Sequence, residues 1–276
     1  MADYGAVKSG EKYMMNRQDI KPSDQQLQPY IEKFIVLTGN RNKVVGGDVV
    51  RIFPRAGPSL YINFACYFSK ENLWMKSGMS GIHDQFYFLE HASGSTIDEI
   101  IIQFSSFGLS MFSEVNVHEL KNNLIDPYGV FGSGSSHLYE QLGNSAPKQR
   151  IDIIENAFKK FIRDIKVEDQ VIHKIAGAIM RDQVLPSPVD IERLSNLSFR
   201  QIERKFQRLI GVNMRLFNKI VRFEKSMSSM AAEESNKLLT ETAYEYNYYD
   251  QAHFIREFKE LSGLTPKEFR AELTSL

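Results

Sequence analysis

The chain has 276 residues, 42% hydrophobic and 25% charged, which suits a folded protein and excludes extensive disorder. Its single cysteine, Cys66, excludes an intramolecular disulfide, as expected in a reducing cytosol, and no apolar run approaches the roughly 20 residues of a membrane span. The zero net charge is unevenly spread, with 12 Lys+Arg against 15 Asp+Glu in residues 1–146 and 22 against 19 in residues 147–276.

The first 145 residues read as strands and turns. Short runs such as "YIEKFIVLTG", "DVVRIFP", "SLYINFACYF", "QFYFLEH" and "IDEIIIQFS" are rich in Val, Ile, Phe and Tyr, with Gly, Pro and Asn between them. They predict a mostly antiparallel, barrel-like domain with few helices, and a loop over Pro127–Leu138. Phe64, Tyr67, Phe68, Trp74, Phe86 and Phe88 would line an apolar effector pocket if the barrel is hollow, or fill its core if it is solid. His83, His91, His118 and His137 are scattered, with no metal-binding spacing, and "GSGSS" lacks the lysine of a phosphate loop. No cofactor, metal or catalytic residue is therefore expected, and Cys66 reads as an inert buried thiol.

After "GNSAP" the apolar period lengthens. Ile151, Ile154, Phe158, Phe161 and Ile165 fall at steps of three and four, predicting an amphipathic linker helix over 146–167 whose stripe would pair two chains. Further helices are expected at about 168–183, 188–195, 198–210, 213–232, 239–246, 250–261 and 266–273. Eight basic residues and only Glu203 and Glu224 lie within Ser198–Lys225.

Residues 198–217 repeat at 250–269. At one offset of 52, Arg204, Phe206, Leu209, Gly211 and Phe217 fall on Arg256, Phe258, Leu261, Gly263 and Phe269, and Ile202 falls on Phe254. In each copy the apolar positions share one helix face, and the glycine supplies the left-handed backbone that ends the helix. A shorter helix precedes each, the helix-turn-helix arrangement, with Asn196 and Asn247 in the turns. Inward packing of that face leaves Arg200, Gln201, Arg204 and Gln207 outward in the first copy. In the second it leaves Gln251, Ala252, Ile255, Arg256 and Lys259, with His253 at the boundary. Arg and Gln suit paired hydrogen bonds to guanine and adenine edges in a major groove.

The stretch "AYEYNYYDQAHFIREFKELSG", continuing into "LTPKEFR", resembles the signature of the AraC/XylS family of bacterial transcription regulators. Its positions fall on Ala243, Tyr249, Asp250, Gln251, His253, Phe254, Arg256, Phe258, Lys259, Gly263, Thr265, Pro266, Phe269 and Arg270. "LSFRQIERKFQRLIGV" resembles the family's first helix-turn-helix, so the likeness spans about 168–273. Residues 27–125 look like the sensory or accessory domain of one subgroup. The tyrosines then read mostly as scaffold. Departures are Glu192 at the place of a small alanine, Asn196 and Asn247 for turn glycines, and Glu203 near the groove face.

The resemblance implies an α+β chain. A β-rich, barrel-like (cupin-like) domain spans 1–145, and an all-α DNA-binding domain spans 168–276, with helix-turn-helix motifs at about 187–210 and 239–261 joined by a long helix at about 213–232. It implies base reading by Arg200, Gln201, Arg204, Gln251, Ala252, His253 and Arg256 in successive major grooves. Phosphate contacts would fall to Ser198, Arg208, Arg215, Lys219, Arg222, Lys259, Lys267 and Arg270. Double-stranded promoter or operator DNA is the implied partner, with RNA polymerase, a small-molecule effector and a second copy as further candidates, and no membrane. The implied role is a cytoplasmic regulator, an activator, on the nucleoid. Two rival readings are a DNA-modifying enzyme with a regulatory DNA-binding tail, which would need a reactive Cys66, and an interaction module paired through the Ile151–Ile165 stripe.

Overall fold

The structure, a computed structural model, describes residues 14–40, 48–92, 96–164, 166–193, 197–232 and 238–274. Among the described residues of the amino-terminal part there are ten strands: β1 (Met14–Ile20), β2 (Ile31–Asn40), β3 (Asp48–Ile52), β4 (Ser59–Asn63), β5 (Phe68–Lys70), β6 (Leu73–Met75), β7 (Ser77–Ser80), β8 (Tyr87–His91), β9 (Thr96–Phe104) and β10 (Leu124–Ile125). They form a six-stranded sheet in the order β1-β2-β9-β4-β7-β10 and a four-stranded sheet in the order β3-β8-β5-β6. Every ladder is antiparallel. The two sheets share an interior without closing into a barrel.

Strand β9, "TIDEIIIQF", is central in its sheet and apolar on both faces because both are covered. Ile97 and Ile101 face Val50, Ile52, Phe68 and Leu89 of the other sheet. Ile100, Ile102 and Phe104 face a helical layer. That layer comprises α1 (Gly108–Phe112), α2 (Tyr128–Phe131), α3 (Ser133–Gly143) and α4 (Arg150–Phe161).

Two sequence expectations change here. Pro127–Leu138 is helical rather than a loop: Gly132, at φ 61°, separates α2 from α3, and burial of Val130, Ser135 and Leu138 overrides the weak helix propensity of its Gly and Ser residues. The stripe of α4 is used within the chain. Ile154 and Phe158 are fully buried, and the Phe158 ring packs against Phe104, Phe112, Phe131 and Phe161. Ile151 and Phe161 pack at the margin of that core, and Ile165 lies outside the described residues. A sheet face as apolar as β9 needs a cover, and α4 supplies it.

Among the described residues the regular structure of the carboxyl-terminal part is helical: α5 (Val167–Asp182), α6 (Pro188–Arg193), α7 (Phe199–Ile210), α8 (Met214–Ala231), α9 (Leu239–Glu245), α10 (Gln251–Ser262) and α11 (Pro266–Thr274). Its core joins Ile172, Ile175 and Ile179 of α5 to Ile202 and Phe206 of α7, Phe217 and Phe223 of α8, and Phe254 and Phe258 of α10. Phe53, Ala56 and Ile82 of the amino-terminal half belong to this same cluster, so the halves share apolar packing. Phe53 lies edge-on to Phe223 and Phe269, and Phe107 stacks on His173 at 4.2 Å.

Candidate nucleic-acid interface

Helices α7 and α10 are built alike. Ile202, Phe206 and Ile210 are buried along one face of α7, as are Phe254, Phe258 and Leu261 along one face of α10. Each ends at a glycine in the left-handed region, Gly211 at φ 105° and Gly263 at φ 76°. The starts are also held. The N–H and Oγ–H of Ser198 both donate to Gln201 Oε1 at 2.9 Å, and His253 N–H donates to Asp250 Oδ1 at 2.6 Å. Asn247 adopts φ 58° between α9 and α10, while Asn196 lies outside the described residues.

The helix before each reader packs one residue beneath it, and these also match at an offset of 52: Ile191 in α6 and Ala243 in α9, both fully buried. Ile191, not Glu192, therefore occupies the place of the small alanine. Glu192 is exposed, and its Oε1 accepts Phe199 N–H at 2.8 Å, so it caps α7 across the turn. Glu203 does not face outward either. Its carboxylate accepts Met214 N–H at the start of α8, and burial raises its pKa against the opposing pull of Arg215.

The outward residues separate by what they already hold. Arg200, Arg204, Ala252 and Arg256 are exposed, and these three arginines make no ion pair among the described residues. Gln201 Oε1 is engaged in the Ser198 cap, and Gln251 Oε1 accepts Thr240 Oγ1–H at 2.7 Å, which leaves the amide N–H groups of both to donate. His253 is tied down, with Nε2 3.1 Å from Glu257 Oε1 and Nδ1 facing Tyr249 N–H at 3.4 Å.

The expected phosphate contacts also divide. Ser198, Arg215, Lys259 and Lys267 are exposed, and Arg270 is half-buried. Arg208 bonds Asp169 at 3.0 Å and Lys219 bonds Glu260 at 2.7 Å, so both charges are already partnered. Arg222 is scaffold: it bonds Glu257 Oε2 at 2.9 Å, donates to Asn247 O at 3.0 Å and covers the Tyr248 ring at 4.7 Å. Nothing in its sequence neighbourhood reveals these partners, because Glu257 and Asn247 arrive from α10 and the turn before it. Among the four tyrosines, Tyr248 is buried and Tyr246 packs on the core, but Tyr244 and Tyr249 are exposed, Tyr249 at 86%.

The six aromatic residues expected around one effector cavity do not converge. Tyr67, Trp74 and Phe88 are exposed. Phe64 lies beside the helical layer beneath the Arg150 guanidinium, Phe86 packs on the carboxyl-terminal core, and only Phe68 is inside the sandwich. Strand alternation sends neighbouring rings to opposite faces. A cavity of about 20 Å³, room for one water, is lined instead by Tyr61, Ser80, His83, Tyr87 and Gln103 with Met227 of α8. His83 stacks on Tyr87 at 4.0 Å and lies 3.1 Å from Ser80 Oγ. Cys66 is buried. Among the described residues no three His, Cys, Asp or Glu side chains are placed to hold a metal, and no helix is long and apolar enough to cross a membrane.

Two glycine-capped helices, each with one buried apolar face, outward arginines and a shorter helix before it, form a double helix-turn-helix arrangement, the kind that enters a DNA major groove. Residues 193–272 match a family model described as a helix-turn-helix domain, in keeping with the resemblance of this segment to the AraC/XylS regulators. The fold is similar to that of ToxT from Vibrio cholerae. The structure of ToxT bound to (E)-4-(8-methylnaphthalen-1-yl)but-3-enoic acid aligns at TM-score 0.50 and 16% identity, covering 87% of this chain and 99% of that one. The form described as bound to an unsaturated fatty acid aligns at TM-score 0.46 and 16% identity, covering 96% of each chain. No protein among curated sequences matches the chain.

Proposed function

We propose that the chain is a sequence-specific activator that sets α7 and α10 into successive major grooves of a promoter site. The observation carrying this reading is that each helix buries one apolar face completely and turns exposed arginines outward, Arg200 and Arg204 on α7 and Arg256 on α10. Gln201, Gln251 and Ala252 complete the base-reading set, with His253 setting the start of α10 rather than reading. Ser198, Arg215, Lys259, Lys267 and Arg270 face the phosphates, and Arg208 and Lys219 reach them by exchanging Asp169 and Glu260. The activator role rests on the family resemblance, as does contact with RNA polymerase.

Arg204→Ala and Arg256→Ala are each expected to weaken binding to the selected site by about 1–3 kcal/mol and to relax preference at the base each reads. Binding titrations on the selected site and on single-base variants measure both effects. Unchanged affinity and preference in both variants would contradict the assignment.

The amino-terminal domain is the proposed sensory half. ToxT has been seen with an unsaturated fatty acid and with a naphthalenyl butenoic acid. In this chain the proposed entry point is the small polar cavity between the sheets and α8, where an effector would first meet Tyr61, Ser80, His83 and Tyr87.

A further inference from the structure

The amino-terminal domain touches both readers at their glycine-capped ends. The last carbonyls of a helix have no partner within it, and when buried they need a donor from elsewhere. At the end of α7, His118 Nδ1–H donates to Gly211 O at 2.7 Å. At the end of α10, Phe86 N–H donates to Leu261 O at 2.8 Å. Both capping glycines are also covered by the amino-terminal half. A Cβ on Gly211 would lie 3.2 Å from Val117, and one on Gly263 would lie 2.6 Å from the Phe86 ring. Val117 and His118 belong to the single 3-10 turn Val117–Leu120, and Phe86 sits just before β8. A third contact holds the helix between the readers, with Ala56 N–H donating to Glu224 Oε2 at 2.9 Å.

From these contacts we infer that the amino-terminal domain is a spacing gauge. It grips the far end of each reading helix and so sets the distance and angle between the two helix starts that enter the DNA. His118 and Phe86 are positioning residues, remote from the arginines they orient. The lever is long enough to matter: a 12-residue helix is about 18 Å long, so tilting it by about 10° about its capped end moves the reading end by about 3 Å, close to the rise of one base pair. Without the gauge, the helical core around α5 and α8 would tie the readers together. The inference rests on the reading of α7 and α10 as paired major-groove readers.

The test uses the full chain and its selected site. Duplexes carrying one half-site alone, and both half-sites with zero, one or two base pairs added or removed between them, are titrated with the native chain and with His118→Ala, Phe86→Ala and the double variant. The native chain is expected to lose about tenfold or more for each single-base-pair change of spacing. The double variant is expected to keep each half-site affinity within about twofold and to lose only about threefold for the same change. His118→Gln, which keeps an N–H donor, and Phe86→Leu, which keeps an apolar cover over Gly263, are expected to restore much of the native profile and serve should an alanine variant not fold. A native chain indifferent to spacing would overturn the paired-reader reading together with the gauge. A spacing-sensitive native profile that the folded double variant reproduces would overturn the gauge alone.

Discussion

Phe258→Ala is expected to lower the stability of the carboxyl-terminal domain by about 3–5 kcal/mol, a large part of the roughly 5–15 kcal/mol that holds a domain folded. Phe258 is fully buried and its ring meets Phe223 at 5.0 Å, Phe269 at 5.6 Å and Phe254 at 5.7 Å, so truncation empties a site walled by three helices. The loss combines the transfer of the ring out of water with the cavity left behind, which rigid aromatic neighbours close poorly. Because α10 is held to α8 and α11 through this ring, the second reader should be lost first. Thermal unfolding followed by circular dichroism, alongside titration of the two separate half-sites, measures both consequences. The expected result is a large fall in melting temperature with selective loss of the half-site read by α10. A variant as stable as the native chain would contradict the packing described for this repeat.

Stability is also expected to fall steeply with acid, through His83. Burial, and then the positive charge of Lys70, push its pKa down to about 3, against an opposing pull from Asp84. An unfolded histidine titrates near pH 6.5, so below that pH the unfolded chain takes up a proton that the folded chain refuses. The contribution is absent above about pH 6.5 and grows as destabilisation until the folded pKa is reached. At about 1.36 kcal/mol per unit it amounts to about 3 kcal/mol by pH 4. Denaturant unfolding of the native chain and of His83→Gln at pH 7 and pH 4 isolates it, because glutamine can bond Ser80 without titrating. The native chain should lose about 3 kcal/mol more than the variant between the two pH values. Equal losses would contradict the environment described for His83.

The repeat was legible because its marks are local. Helix period places Ile202 beside Phe206 and Phe254 beside Phe258, and a glycine at the end of each run marks the left-handed turn without reference to any other segment. The amino-terminal half was legible as strands but not as faces. Phe86 and Phe88 are two residues apart and meet edge to face at 5.6 Å, yet Phe88 is exposed while Phe86 packs against Gly263, 177 positions further on. The stripe of α4 misled for the same reason: amphipathic spacing says that a face is covered, not which surface covers it. Glu203 and Arg222 look on sequence like charges facing the DNA, and Glu192 like a residue beneath the first reader; each is instead bonded to backbone or to a side chain brought close by tertiary packing. The partners of a polar side chain were the information the linear chain withheld.

A hydroxyl-radical and base-methylation footprint of the intact chain on DNA selected from a random pool tests the central claim most directly. Two protected major-groove patches on one face of the duplex, about 10–10.5 base pairs apart, are the predicted result, with Arg256→Ala erasing contacts in only one of them. A single patch, or a pool from which no sequence is enriched, would contradict the account.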